Sequence, residues 1–279
     1  MVTDQTPTLV AAELYIYPLK SGRGISVPAL EFDERGPIGD RRWMLIDDKA
    51  EFLSQRRLPR MSLLRVSLEA DRLVVDAPGM STLVVPPTPD NGASETLVAG
   101  LHEDRVTVCR VGKAVDQWFT KFLRLSCSLV TMPADTRRIV DPTYAPVPRI
   151  VGLADAFPVL VVGAASIDEL NRRLVAKGLP PVGVDRFRPN VLVSGGTAHE
   201  EDTWHQLSGC DVALEIVKPC ARCAIVTVDQ ERGIRGKEPL KTLAEYRQRG
   251  QKVLFGQNAL HDRPGRLVRG EQLRALRAT

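Results

Sequence analysis

No stretch of the 279 residues approaches the roughly 18 consecutive apolar residues of a membrane-spanning helix. The opening segment, Met1 to Leu9, lacks the basic and apolar blocks of a secretory signal. From these two absences neither a membrane-spanning helix nor secretion is expected, and the expected location is the cytoplasm. Cysteine is sparse as well: five residues, an odd number without a secretion signal, argue against a disulfide framework and for reduced thiols. The four histidines are scattered, and neither an internal repeat nor a low-complexity segment occurs. Charge of one sign is also lacking. The balance is only +4 with a pI near 8.9, and the arginines are dispersed, so nucleic acid is not an expected partner. A few basic residues gathered in one pocket would bind a phosphorylated small molecule equally well.

What is present is an ordinary globular composition, 43% hydrophobic and 26% charged, which excludes extended disorder. The length suits two modest domains, each of about 100–150 residues. Leu9–Tyr17, Trp43–Ile46, Leu63–Leu68, Leu73–Val75 and Thr82–Val85 are short runs of β-branched or apolar residues, predicted as strands of a small all-β unit. Ala77-Pro78-Gly79 and Pro89-Asp90-Asn91-Gly92 supply turns between them. Apolar spacing of three and four from Val115 to Leu123 predicts a short helix bridging the two halves, which divide at 123/124. Met132 to Pro158 has little periodicity and reads as a long ordered loop.

The second half, 124–279, resumes as strand, helix, strand. Pro158–Val162 is a buried strand, and Ser166-x-x-Glu169 forms a capping box for a helix that Gly178 closes. Val191–Val193, Val212–Val217 and Ala224–Val228 are further strands, and a second helix starts at Pro239 and ends before Gly250.

The chemistry concentrates at Lys218-Pro219-Cys220-Ala221-Arg222-Cys223, between two apolar strands. A zinc site needs four ligands, and no other pair of cysteines has this spacing. A thioredoxin-like pair opens a helix, whereas here a strand is expected to follow. Two buried inert thiols remain open as a reading. Arg222 flanks Cys223, and a cation beside a thiol favours the thiolate that a soft metal needs, which makes Cys223 the better ligand candidate. Basic residues also stand at Tyr17-Pro18-Leu19-Lys20-Ser21, at Gly39-Asp40-Arg41-Arg42-Trp43 and at Arg186-Phe187-Arg188-Pro189-Asn190. Each set alone is solvated loop charge; converged, they make an anion pocket.

Together with Thr227-Val228-Asp229, Lys237-Glu238-Pro239-Leu240-x-Thr242-Leu243 and Phe255-Gly256-Gln257-Asn258, these segments resemble, in order, the motifs of MOSC-domain proteins with an N-terminal β-barrel. The resemblance runs from about Ala11 to Leu260 and is strongest to the branch of the mitochondrial amidoxime reducing component and its bacterial relatives. It implies a mainly β fold, an N-terminal MOSC β-barrel domain at 1–123 packed on a MOSC β-barrel domain at 124–279, with a few short helices. It also implies a molybdenum cofactor, molybdopterin with molybdenum, held between the two, with Cys223 on the metal and Cys220 off it. Lys20, Ser21, Arg41, Arg188 and Asn190 fall on positions that bind the cofactor's phosphate and pterin. Ala221 and Arg222 fall beside the ligand, Ala156 and Phe157 on a loop whose backbone approaches the cofactor, and Asn258 on another contact position.

The activity implied is reduction of N-hydroxylated compounds: hydroxylamines, amidoximes and N-hydroxylated bases. Asp229 and Glu238 are proton donors by residue type only, and read first as turn-forming and helix-start carboxylates. Some bacterial relatives carry a C-terminal ferredoxin domain, but no cysteine follows Cys223 here, so electrons are expected from a separate flavoprotein or ferredoxin. The alternative is a carrier that delivers molybdenum cofactor or sulfur to other enzymes. Pyridoxal phosphate binding is a further expectation drawn from the resemblance.

Overall fold

The computed structural model describes residues 8–69, 72–86 and 95–277. Strand accounts for 41% and helix for 18%, so the fold is mainly β, as expected. Its centre is a closed barrel of seven strands. Around the barrel run Val159–Gly163, Val191–Ser194, Leu9–Ile16, Gln272–Arg277, Trp204–Ser208, Ala213–Arg222 and Lys252–His261, which pairs back onto Val159–Gly163. All pairings are antiparallel except Val159–Gly163 with Val191–Ser194. A parallel pair needs a crossover, and helix α2, Ala164–Ala176, lies within it. Leu14, Val161, Val191, Trp204, Leu214 and Ala259 fill one continuous core with residues of every barrel strand.

The first half contributes a four-stranded antiparallel sheet, Trp43–Ile46, Ser128–Thr131, Asp104–Arg110 and Thr96–Leu101 in spatial order, and a three-stranded sheet, Arg65–Glu69, Arg72–Asp76 and Leu83–Val84. Sheet membership crosses the 123/124 division in both directions. Leu9–Ile16 sits in the barrel, while Ser128–Thr131 sits in the four-stranded sheet. Pro89-Asp90-Asn91-Gly92 lies outside the described residues. Ala77-Pro78-Gly79 is a turn, with the Met80 amide donating to the Ala77 carbonyl at 3.1 Å. Among the described residues no helix is long and apolar enough to cross a membrane.

Helix α1, Lys113–Leu123, does not bridge the halves. Its buried residues Val115, Phe119, Phe122 and Leu123 pack with Leu45, Met61, Leu73 and Leu129 in the core of the first half. The period of three and four locates an apolar face but not the surface that covers it. Phe119 is fully buried, and Phe119→Ala should lower unfolding free energy by about 3–5 kcal/mol in a denaturant titration. A loss below about 1 kcal/mol would contradict this packing.

Two local signals in the second half were misread. The capping box is absent, because α2 opens at Gly163 and Ser166 lies inside it. The Ser166 hydroxyl instead donates to buried Glu201 at 2.7 Å, and Glu169 pairs with Arg172 and Arg173 on the helix surface. Gly178 does close the helix, at φ +71°: its amide reaches Val175 O and that of Leu179 reaches Leu174 O. Ala224–Val228 is not a strand but a 3-10 turn, Ala224–Thr227, that lowers Val226 and Thr227 into the interior. The β-branched run resembles a strand only because burial, not extension, requires it. Helix α3, Leu240–Arg247, follows Pro239 as expected.

The segment 132–158 is an ordered loop. It carries its own apolar cluster, including Val140, Val151, Ala154 and Phe157, and it is fastened by Arg138. This buried guanidinium donates to the carbonyls of Gly152 (2.9 Å), Ala154 (2.6 Å) and Asp155 (2.6 Å) and pairs with Asp104 at 2.7 Å.

Candidate active site

One cleft is lined by Lys20, Ser21, Arg41, Ala156, Phe157, Arg188, Asn190, Ala221, Arg222, Cys223 and Asn258, all the site residues expected from the sequence, although they come from distant parts of the chain. Arg56, Asp155 and Cys220 line it too.

Tyr17 ends the first barrel strand and organises one wall. Its amide donates to Asp40 Oδ1 at 2.8 Å and its hydroxyl to Pro189 O at 3.0 Å. Burial raises its pKa, which keeps the phenol a donor. The Arg41 and Arg188 guanidinium carbons lie 4.4 and 4.3 Å from its ring centroid, within cation–π range. Burial, reinforced by the neighbouring Arg41, brings Arg188 down to about 10. Two cations held this close favour an anion between them or beside them. Asn190 is buried and fully engaged. Its Oδ1 accepts from Leu160 N (3.1 Å) and Arg41 Nη1 (3.2 Å), and its Nδ2 donates to Tyr15 O (3.2 Å) and Asp40 Oδ1 (3.1 Å).

Ser21, Arg41 and Arg188 share an uncommon backbone, at φ 65°, 44° and 57°. Left-handed conformations cost a non-glycine residue roughly 1–2 kcal/mol each. The surrounding hydrogen bonds hold them: Arg41 N to Tyr17 O at 2.9 Å, Leu153 N to Arg41 O at 3.2 Å, and Gln55 Nε2 to Ser21 O at 2.9 Å. Such strain clusters at functional sites.

Lys20 is buried; its ammonium donates to Leu153 O at 3.0 Å and pairs with Asp155. Burial pushes the Lys20 ammonium down, against the opposing charge of Asp155. Burial also works against ionisation of Asp155, but Lys20 and His102, the latter at 3.2 Å, outweigh it and hold the carboxyl well below the ordinary range.

The cysteine wall forms where Ala213–Arg222 ends. Its pairing with Lys252–His261 shifts register between Ile216 and Lys218 and again between Pro219 and Ala221. Such irregularities tolerate Pro219 and re-aim the residues after it. Cys223 then caps the 3-10 turn Ala224–Thr227. The cation on its sulfur is not Arg222. Arg222 Nη1 donates to Cys220 Sγ at 3.0 Å and Nη2 to Phe187 O at 2.7 Å. Arg56 Nε, from the first half, donates to Cys223 Sγ at 3.4 Å. Adjacency in sequence therefore misassigned the partner, since neighbours in an extended chain point to opposite sides. Arg222 Nε is buried without a hydrogen-bond partner among the described residues.

Sequence reasoning missed Arg56, Asp155 and Arg138. Each is a common residue type on an irregular loop, and its role comes from contacts across 14 or more residues of chain. It also missed the strand Lys252–His261, where Asn258 pairs with Leu160 and Lys218. Asp229 and Glu238 do not line the cleft. Asp229 Oδ1 accepts the amides of Glu231 and Arg232 at 2.9 Å, and Glu238 Oε2 accepts that of Thr242 at 2.9 Å, which are turn and helix-start roles.

Comparison with known proteins matches residues 8–126 to the MOSC N-terminal beta barrel domain and residues 148–274 to the MOSC domain. Mitochondrial amidoxime-reducing component 1 of Mus musculus is 33% identical, over 93% of this chain and 80% of its own length. Mitochondrial amidoxime reducing component 2 of Bos taurus is 34% identical, over 85% of this chain and 71% of its own. The molybdenum cofactor sulfurase of Bos taurus is 27% identical over 90% of this chain, which corresponds to 30% of that protein. Two family models that tile the chain, and relatives above 30% identity over most of it, place this protein in the family of MOSC-domain proteins with an N-terminal β-barrel domain.

Proposed function

We propose that the protein is a molybdenum-cofactor-dependent reductase of N-hydroxylated compounds. The observation that carries this reading is the cleft itself, which brings the Cys223 thiol, beside the Arg56 guanidinium, together with the cations Arg41 and Arg188. The donor set fits the cofactor. A thiolate suits a soft metal, and the arginines with Lys20 suit a phosphate. The unpartnered Arg222 Nε and the burial-lowered Arg188 are groups that an anionic ligand would satisfy. The backbone at Ser21, Ala156 and Phe157 would orient the pterin, with Asn190 holding Arg41 in place and Ala221 and Asn258 completing the wall.

When bound, the molybdenum cofactor supplies two-electron removal of oxygen from an N–OH group, leaving N–H and water. The protein's part is to bind and orient, and to fix one coordination position through Cys223. Lys20 and Asp155 form an ion pair in the cleft wall, in which burial lowers the ammonium's pKa and Lys20 with His102 keeps the Asp155 carboxyl well below the ordinary range. Pyridoxal phosphate forms no part of this proposal, because the one lysine lining the cleft is committed to Leu153 and Asp155.

Each turnover consumes two electrons, which we assign to a separate flavoprotein or ferredoxin. Molybdenum-loaded protein should reduce benzamidoxime with reduced viologen and not with NADH alone; NADH should serve once a flavoprotein partner is added. The sulfurase relative favours a second reading, a carrier that hands cofactor or sulfur to other enzymes. A carrier would reconstitute an apo-enzyme and show no multiple turnover with viologen, and that result would replace the reductase reading.

A further inference from the structure

Five cations line the cleft against one carboxylate, Asp155. Two of these charges are matched within the protein, Lys20 by Asp155 and Arg41 by Asp40. Arg188 and Arg222 commit donors to the Gly22 and Phe187 carbonyls. Three guanidinium charges, on Arg56, Arg188 and Arg222, therefore lack a carboxylate of their own. A phosphate group of roughly −1.5 to −2 charge balances two of them.

Arg56 stands apart from the others. It comes from the first half, in the turn that follows Trp43–Ile46, and its side chain is 36% exposed. Nε donates to Cys223 Sγ at 3.4 Å, while Nη2 stays 3.6 Å from Asp155, a carboxylate already held by Lys20 and His102. Nη1 has no partner among the described residues. A half-exposed guanidinium with a free donor edge is matched to a carboxylate or another oxyanion.

We infer that Arg56 is an anion-binding, specificity-determining residue beside Cys223, and that the cleft favours N-hydroxylated substrates carrying a carboxylate or comparable oxyanion. The substrate half of this inference rests on the reductase reading; the anion site does not.

Two measurements separate them. The first uses the full chain purified from a host that makes no molybdenum cofactor. Alkylation of Cys223 is followed by peptide mass spectrometry with iodoacetate, an anion, and iodoacetamide, which is neutral. Both reagents consume the thiolate, so the ratio of their rates cancels its abundance. Arg56→Gln should lower the iodoacetate-to-iodoacetamide ratio about five- to ten-fold, and Arg56→Lys should keep most of it. Added salt should lower the ratio in the unaltered protein, which keeps the test decisive if the glutamine variant folds poorly. A ratio insensitive to salt, or one unchanged in Arg56→Gln, overturns the anion site.

The second measurement compares 4-carboxybenzamidoxime with benzamidoxime in molybdenum-loaded protein. The ratio of their kcat/KM values should fall about ten-fold in Arg56→Gln. Equal losses on both substrates overturn the substrate half. Wild-type protein that reduces neither overturns the reductase reading, and the alkylation ratio still decides the anion site.

Discussion

Cys223→Ser should reduce molybdenum-dependent turnover to background, whereas Cys220→Ala should retain most of it. A hydroxyl is a hard, weakly acidic donor and does not replace a thiolate on a soft metal position. The two cysteines of the C-x-x-C differ in surroundings as well. Cys223 opens a 3-10 turn and meets Arg56. Cys220 packs against the apolar cluster around Phe187, Val226 and Phe255, with Arg222 on its sulfur. Truncating Cys220 therefore removes a small packing group, at a cost of about 1 kcal/mol in stability. Activity per folded molecule, checked by circular dichroism, separates the two effects. Equal loss in both variants would mean that the pair acts together as a dithiol.

The second large effect concerns retention of the cofactor. Arg188→Ala, Arg41→Ala and Lys20→Ala should each lower molybdenum and pterin content about ten-fold or more when cofactor is limiting. A charge-assisted contact contributes about 1.5–3 kcal/mol, which is a factor of ten or more in affinity. Arg188 gives the cleanest reading. Its charge has no carboxylate of its own, so removing it strands no buried anion. Arg41→Ala leaves Asp40 buried without its cation, and Lys20→Ala leaves Asp155 with only His102 and the more distant Arg56. Arg41→Ala should also lose stability, by as much as about 3–5 kcal/mol, because Asp40 is buried, whereas Lys20→Ala should lose less, because Asp155 is 58% exposed. Full molybdenum and pterin content in purified Arg188→Ala would show that this cation serves the fold alone.

Much of the site was legible because its residues sit in short, unusual settings: prolines beside basic residues, and a C-x-x-C at the end of an apolar run. Cys223 stood out by its chemistry, while Lys20, Arg41, Arg188 and Asn190 were assigned because their motifs resemble those of the family, and the fold brings all five to one cleft. Partnerships were another matter. Arg222 was matched to Cys223 by adjacency, yet the strand geometry gives it to Cys220 and gives Arg56 to Cys223. The helix Lys113–Leu123 showed its period but not its neighbours, so its place in the first core could not be read. Leu9–Ile16 reads as a strand of the first unit because sequence order is the only proximity a sequence offers; it does pair with nearby Ile25–Val27, but its barrel partners, Val191–Ser194 and Gln272–Arg277, lie some 180 and 260 residues away. Ser166 and Glu169 had capping-box spacing, but the strand Val159–Gly163 runs directly into the helix, so Gly163 takes the cap position and Ser166 falls inside the first turn. Local chemistry is written locally, and which side chain meets which is decided by the barrel.

The central claim is that the sulfur of Cys223 completes the coordination of a molybdenum cofactor in this cleft. X-ray absorption at the molybdenum edge tests it most directly, on protein made in a cofactor-competent host. Wild-type protein should show one more sulfur in the metal's coordination shell than Cys223→Ser, while Cys220→Ala should match the wild type. An identical sulfur count in wild type and Cys223→Ser, or a wild-type protein that takes up no molybdenum at all, would contradict the account.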